Sequence, residues 1–134
     1  MDTVPIDRHF RKDERLSGKL STDRLFEAGK GFIAYPLRFV YYQSEAAEKA
    51  KVRILISVPK KKIRHAVDRN RIKRLIREAY RLNKQLLTDG LGSDANCLHL
   101  GIIYLSNEPA NYGVIEEKMI AALQKLRLRV SNND

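Results

Sequence analysis

The chain has 134 residues, 43% of them apolar and 31% charged, with 26 Lys and Arg against 16 Asp and Glu for a net charge of +10. That length suits one domain spanning 1–134, the apolar share is enough for a core, and the composition is not that of a disordered chain. No apolar run approaches the roughly 20 residues of a spanning helix, the N-terminus has no signal-peptide core, and Cys97 alone excludes an internal disulfide and any multi-cysteine metal site. The expectation is a cytoplasmic protein without membrane contact.

Residues 1–16 are polar and charged with Pro5 among them, and read as a flexible arm. Ser21 and Thr22 are capping types, and Leu25 and Phe26 share a face before Gly29, predicting a short helix over 21–28. Residues 31–43 are aromatic and β-branched and predict strand, divided at Pro36, which has no N–H for a ladder. The alternation of Val52, Ile54, Ile56 and Val58 predicts a strand over 51–58, ended by Pro59. The longest helix is expected from about Val67 to Leu87, followed by a loop at Gly90, Gly92 and Ser93. Residues 97–105 form an apolar run of buried-strand length. Asn111 is placed to cap a last helix, whose stripe of Ile115, Met119, Ala122, Leu123, Leu126 and Val130 has helical spacing; residues 131–134 read as a tail. The order α-β-β-β-α-β-α predicts an α/β (α+β) sandwich, with helices packed on a small sheet.

Charge is distributed unevenly. Between Lys60 and Lys84 lie eleven of the basic residues and only two acids, Asp68 and Glu78, so this segment carries +9 of the net +10. At about 100° per residue, the long helix puts Ile72, Leu75, Ile76, Ala79, Leu82 and Tyr80 on one arc. Arg69, Lys73, Arg77 and Lys84 fall on another, flanked by Asn70, Arg74 and Arg81, with Arg71 at its far edge. A solubilising surface mixes signs; along this ridge only Glu78 is within reach for i,i+3 or i,i+4 pairing with Arg74 or Arg81, and Asp68 reaches only Arg71 at the edge. Self-repulsion opposes folding, so the cluster points to a polyanionic partner, and its arginines suit phosphate and base contacts. The chain has no helix-turn-helix pattern, zipper or zinc ligands for duplex DNA, whereas a helix on an aromatic-bearing sheet suits RNA. The 1–134 domain is therefore expected to bind RNA. A ribosomal-type RNA-binding protein and a DNA-binding regulator stay open as alternatives.

The string from Arg69 to Glu78, Arg-Asn-Arg-Ile-Lys-Arg-Leu-Ile-Arg-Glu after Ala66-Val67, closely resembles the signature of the bacterial ribonuclease P protein component. Ile-Ser-Val-Pro-Lys-Lys at Ile56 to Lys61, Glu14 to Leu16, Leu25-Phe26 and Gly29 follow the family's pattern as well. The resemblance implies a protein subunit that binds a catalytic RNA subunit and the 5′ leader of precursor tRNA. It implies catalysis by that RNA with Mg²⁺ bound chiefly there, no obligate protein partner, and a left-handed strand-helix-strand crossover in a mixed sheet. Carried over, it assigns RNA contact to Arg69, Asn70, Arg71, Lys73, Arg74 and Arg77, and to Lys60, Lys61 and Lys62 in the basic turn. The turn has one residue more before Ala66 than the family pattern. It also implies a leader cleft between the first helix and the sheet, with Phe39, Tyr41 and Tyr42 as candidates. Strand alternation places Phe39 and Tyr41 on one face and Tyr42 on the other, so only one set can line the cleft. Where the family carries an aromatic early in the first helix, this chain has Thr22.

The protein's own residues offer no catalytic constellation. The carboxylates are scattered rather than paired for metal ions, and no Ser-His-Asp, P-loop or Gly-x-Gly-x-x-Gly spacing occurs. His65 can cap the long helix or donate to phosphate, with the cap expected, and His99 is expected to be a satisfied strand histidine; no metal is expected on the protein itself.

Overall fold

The computed structural model describes residues 8–92 and 95–131. In chain order it contains a 3₁₀ turn at Lys12–Glu14, α1 (Lys19–Ala28), β1 (Lys30–Ala34), β2 (Leu37–Gln43), β3 (Val52–Ser57), α2 (Ala66–Asn83), the short α3 (Gln85–Thr88), β4 (Leu98–Tyr104) and α4 (Tyr112–Ser131). The four strands form one sheet in the order β1-β2-β4-β3, with β1–β2 and β2–β4 antiparallel and β3–β4 parallel. The sequence order of helices and strands is therefore as expected, as is the mixed sheet.

Alternation along the strands separates two faces. Leu37, Phe39, Tyr41, Ile54, Leu100 and Ile102 point into the main core, where Ile72, Ile76, Ala79 and Tyr80 of α2 and Ile115, Met119, Leu123 and Leu126 of α4 meet them. The opposite face carries a smaller cluster, in which Leu25 of α1 and Leu16 pack on Val40, with Tyr42, Leu55 and Ile103 at the rim. Gly101 sits in the middle of that face, opposite Val40 and Leu55. A Cβ there would lie 3.2 Å from Leu25 Cδ2, so the bare backbone lets α1 approach the sheet closely.

Pro36 does divide the first long strand: β1 and β2 are joined at Tyr35–Pro36, whose peptide bond is cis. Asn111 caps α4 as expected, its Oδ1 accepting from Val114 N–H at 3.0 Å. Three expectations need correction. Helix α1 starts at Lys19, two residues early, because Gly18 takes a left-handed φ of 94°, and Thr22 Oγ donates back to the Gly18 carbonyl instead of capping. The expected single helix to Leu87 is interrupted at Lys84. Residues 8–16 are not a loose arm. Leu16 is buried and donates its N–H to Ile54 O at 2.8 Å, while Phe10 meets Tyr80 edge-on at 6.2 Å between centroids. Residues 1–7 of the arm, Ser93 of the loop and 132–134 of the tail lie outside the described residues.

Candidate nucleic-acid interface

The basic helix keeps its shape because its apolar arc is well buried. Ile72, Ile76, Ala79 and Tyr80 are all at most 1% exposed. Burying each large side chain stabilises by about 1.5–3 kcal/mol. Like charges at i,i+3 or i,i+4 oppose the helix by only about 0.2–0.5 kcal/mol per pair, so packing wins and the cations can remain unneutralised.

The predicted ridge separates into groups with different duties. Asn70, Arg71 and Arg74 are exposed, and Lys73 and Arg77 are half-buried. None of the five side chains forms a hydrogen bond or ion pair with a described residue. Glu78, the acid best placed to neutralise Arg74, is taken by Arg81, whose Nη2 and Nε lie 2.5 and 3.1 Å from its oxygens. That hydrogen bond outweighs burial and holds the Glu78 carboxyl below its ordinary pKa. Arg81 also donates to Arg8 O at 2.8 Å. Arg69 is turned inward: its Nη1 donates to Ile63 O at 3.1 Å and Arg64 O at 2.8 Å, tying the basic turn to the start of α2. Lys84 leaves the ridge altogether, because at 7% exposure its Nζ binds Glu14 Oε1 at 2.7 Å and the His9 carbonyl. In the turn, Lys60 and Lys61 are exposed and Lys62 is half-buried. His65 stands at the N-cap of α2 without a side-chain capping bond, so it caps by position only.

On the α1 face, the sheet presents Arg38, Ile103 and Ser57 in one row and Tyr42, His99 and Arg53 in another, with Gly101 between them. Ile33 pairs with Arg38 and extends the first row onto β1. Phe26 of α1 is 44% exposed, and its ring comes within 3.7 Å of a Cβ built on Gly101. This face beside α1 is lined by aromatic and apolar side chains, with the Arg38 guanidinium at one end and that of Arg53 at the other. Tyr42 belongs to it. Phe39 and Tyr41 do not: Phe39 is fully buried on the opposite face, stacked 5.4 Å from Phe32, and Tyr41 is buried there too, with its hydroxyl 3.4 Å from Arg129. One face of β2 is fully covered by α2 and α4, and both residues point into it. Thr22 spends its hydroxyl on Gly18 O, and Phe26, one turn on, supplies the aromatic. Phe26, Ile33, Arg38 and Ile103 also line this face, and periodicity does not single them out; the parity of Tyr42 on β2 is the signal that finds Arg38.

At the other end of this face, His99 Nε2 lies 3.1 Å from Glu48 Oε2, and Arg53 Nη1 lies 3.1 Å from Oε1. Burial raises the Glu48 carboxyl, but the His99 hydrogen bond and the Arg53 charge together lower it further, for a net depression. The neighbouring Cys97 thiol is pushed up to about 12, by burial first and then by Glu48.

No described helix is long and apolar enough to cross a membrane. The Ribonuclease P family model matches residues 10–127. A ribonuclease P protein component from Porphyromonas gingivalis is 39% identical over 131 residues, covering 98% of this chain and 93% of its own. Another, from Chlorobaculum tepidum, is 46% identical over 87 residues, covering 63% of this chain and 56% of its own. The fold is similar to the RNase P protein from Thermotoga maritima, with a TM-score of 0.66 at 21% identity over 84% of this chain and 96% of that one. It is also similar to the Staphylococcus aureus RNase P protein, with a TM-score of 0.61 at 20% identity over 89% and 95% of the two chains. Signature string, family model and near full-length relatives agree, and the chain belongs to the ribonuclease P protein family.

Proposed function

We propose that this protein is the protein subunit of ribonuclease P, binding the enzyme's RNA subunit through the outer face of α2 and the 5′ leader of precursor tRNA through the cleft under α1. The observation that carries this reading is the unneutralised ridge. Arg71, Lys73, Arg74 and Arg77 have no described carboxylate partner, and Glu78, the acid one turn from Arg74, is held by Arg81. Each phosphate these cations neutralise releases counterions and adds affinity. Asn70 adds an amide for base or sugar contacts, and Lys60, Lys61 and Lys62 extend the positive surface past the end of β3. Arg69 acts at one remove, by holding that turn.

The cleft suits an unpaired strand. Phe26 and Tyr42 offer faces on which bases stack, at about 1–3 kcal/mol per base, and Arg38 offers a phosphate partner. The basic turn leaves the sheet just past Ser57, at the Arg38–Ile103–Ser57 end of the cleft, so leader and RNA subunit would be held beside one another. In this reading Mg²⁺ is bound chiefly by the RNA, which performs the hydrolysis. The protein screens phosphate repulsion, orients the substrate and raises metal occupancy at the RNA centre. It works in the cytoplasm and requires no other protein.

Single-turnover cleavage of precursor tRNA by the RNA subunit, across a Mg²⁺ series with and without this protein, tests the reading. The Mg²⁺ requirement should fall when the protein is present, and precursor should be favoured over mature tRNA. An unchanged requirement and equal affinity for the two tRNAs would instead fit a general RNA-binding protein.

A further inference from the structure

We propose that Glu48, Cys97 and His99 form a binding site for one borderline divalent cation, Zn²⁺ foremost, at the end of the sheet away from the basic turn. One ligand atom from each residue lies within 4.8 Å of the other two. Tetrahedral zinc bonds of about 2.0–2.3 Å put ligand atoms roughly 3.4–3.8 Å apart, so closure asks for a contraction of about 1 Å. Glu48 can supply it, because its side chain sits on a connection and is 35% exposed, while Cys97 and His99 are buried at the start of β4.

The fold places the three together. Cys97 and His99 are two residues apart and project from the same side of the chain entering β4. The β2–β3 connection is fastened beneath them: Ser44 N–H donates to Cys97 O at 2.9 Å, Cys97 N–H to Ala46 O at 3.0 Å and Leu98 N–H to Lys51 O at 2.9 Å. Gln43 Nε2 also donates to the Asn96 carbonyl. Glu48 is thereby presented to the thiol and the imidazole.

The surroundings resemble the support that a metal ligand set needs. Ligating carboxylates are themselves hydrogen-bonded, and Glu48 Oε1 is held by Arg53, which is fixed in turn by Arg15 O at 3.2 Å to Nε and 2.8 Å to Nη2. Oε2 is left to face the cluster. His99 is 6% exposed, and its Nε2, 3.1 Å from Glu48 Oε2, is the ring nitrogen turned toward the cluster. One sulfur, one nitrogen and one oxygen donor suit Zn²⁺ or Co²⁺; Mg²⁺ and Ca²⁺ favour oxygen-only sets. On binding, the thiol proton passes to solvent, the thiolate, imidazole and carboxylate fill three positions, and water fills the fourth. The cation would clip the β2–β3 connection to β4. None of this depends on the proposed RNA contacts.

Co²⁺ titrated into the reduced, tag-free full chain in excess Mg²⁺ tests the site. One equivalent should produce a thiolate-to-cobalt charge-transfer band with intense tetrahedral d–d bands, and one equivalent of Zn²⁺ should abolish them. Cys97→Ser should remove the charge-transfer band. His99→Gln and Glu48→Gln should weaken binding by more than about tenfold, the loss that even an outer partner's removal can bring. Glu48→Gln changes a partly exposed side chain and keeps the comparison available if Cys97→Ser folds poorly. Absence of the band, its persistence in Cys97→Ser, or unchanged affinity in Glu48→Gln would overturn the proposal.

Discussion

Arg69 and Arg74 lie five residues apart on α2 and serve different ends. Arg74 is exposed and unpaired, while Arg69 is spent on the Ile63 and Arg64 carbonyls. Arg74→Ala should leave stability within about 0.5 kcal/mol of wild type and lower the salt slope of RNA binding by about 1, read by urea unfolding and filter binding. Arg69→Ala should cost about 2 kcal/mol of stability, because charged hydrogen bonds to the turn are lost. Equal stabilities would show that Arg69 is not the turn's tie. Glu48 gives a pH prediction. Its folded pKa lies below the ordinary value near 4.3, so the unfolded chain takes up the proton first as pH falls. The stability it contributes is complete above about pH 5 and is lost as pH drops through the folded pKa. In chelator, the melting-temperature gap between wild type and Glu48→Gln should therefore close on acidification; a constant gap would contradict the assignment. At this scale, charge and residue type were readable from the sequence, but partners were not. The helical wheel puts Lys84 beside Arg77, yet nothing local reveals Glu14, seventy residues away. Likewise, alternation separated Phe39 and Tyr41 from Tyr42, but only the placement of α1 decides which set faces the cleft.

The helices and strands were largely legible because each has a strong periodic or capping signal: the alternation of β3, the division at Pro36, the Asn111 cap and the stripe of α4. The misplaced ends have local or long-range causes. Gly18 starts α1 early through a left-handed φ, and Lys84 interrupts the long helix where its side chain dives toward the 8–16 segment. That segment looked loose because its ties are tertiary: Leu16 to Ile54, Phe10 to Tyr80 and Glu14 to Lys84. The Lys84–Glu14 pair is nearly buried, with side-chain exposures of 8% and 13%, so removing one member strands the other. Lys84→Ala should lower stability by roughly 3 kcal/mol and speed hydrogen exchange at the Leu16 amide, while amides of α4 keep their relative protection. Unaltered exchange at Leu16 would show that the pair does not hold the segment.

For the molecule as a whole, the sheet order β1-β2-β4-β3 creates two unlike faces. One is filled by α2 and α4; the other is only partly covered by α1, and Gly101 lets that helix sit low on the sheet. Positive charge is concentrated as well, with Arg71, Lys73, Arg74 and Arg77 on α2 and Lys60, Lys61 and Lys62 in the turn before it. The apolar arc of that helix stabilises the fold strongly enough to tolerate the repulsion. The proposed function therefore requires that these cations grip structured RNA. Binding of the ribonuclease P RNA subunit by wild type and by the Arg71→Ala/Arg74→Ala/Arg77→Ala triple variant, across a salt series, tests it most directly. The triple variant should melt like wild type, bind more weakly, and show a slope of log affinity against log salt shallower by roughly two to three. Affinity and slope matching wild type would contradict the account.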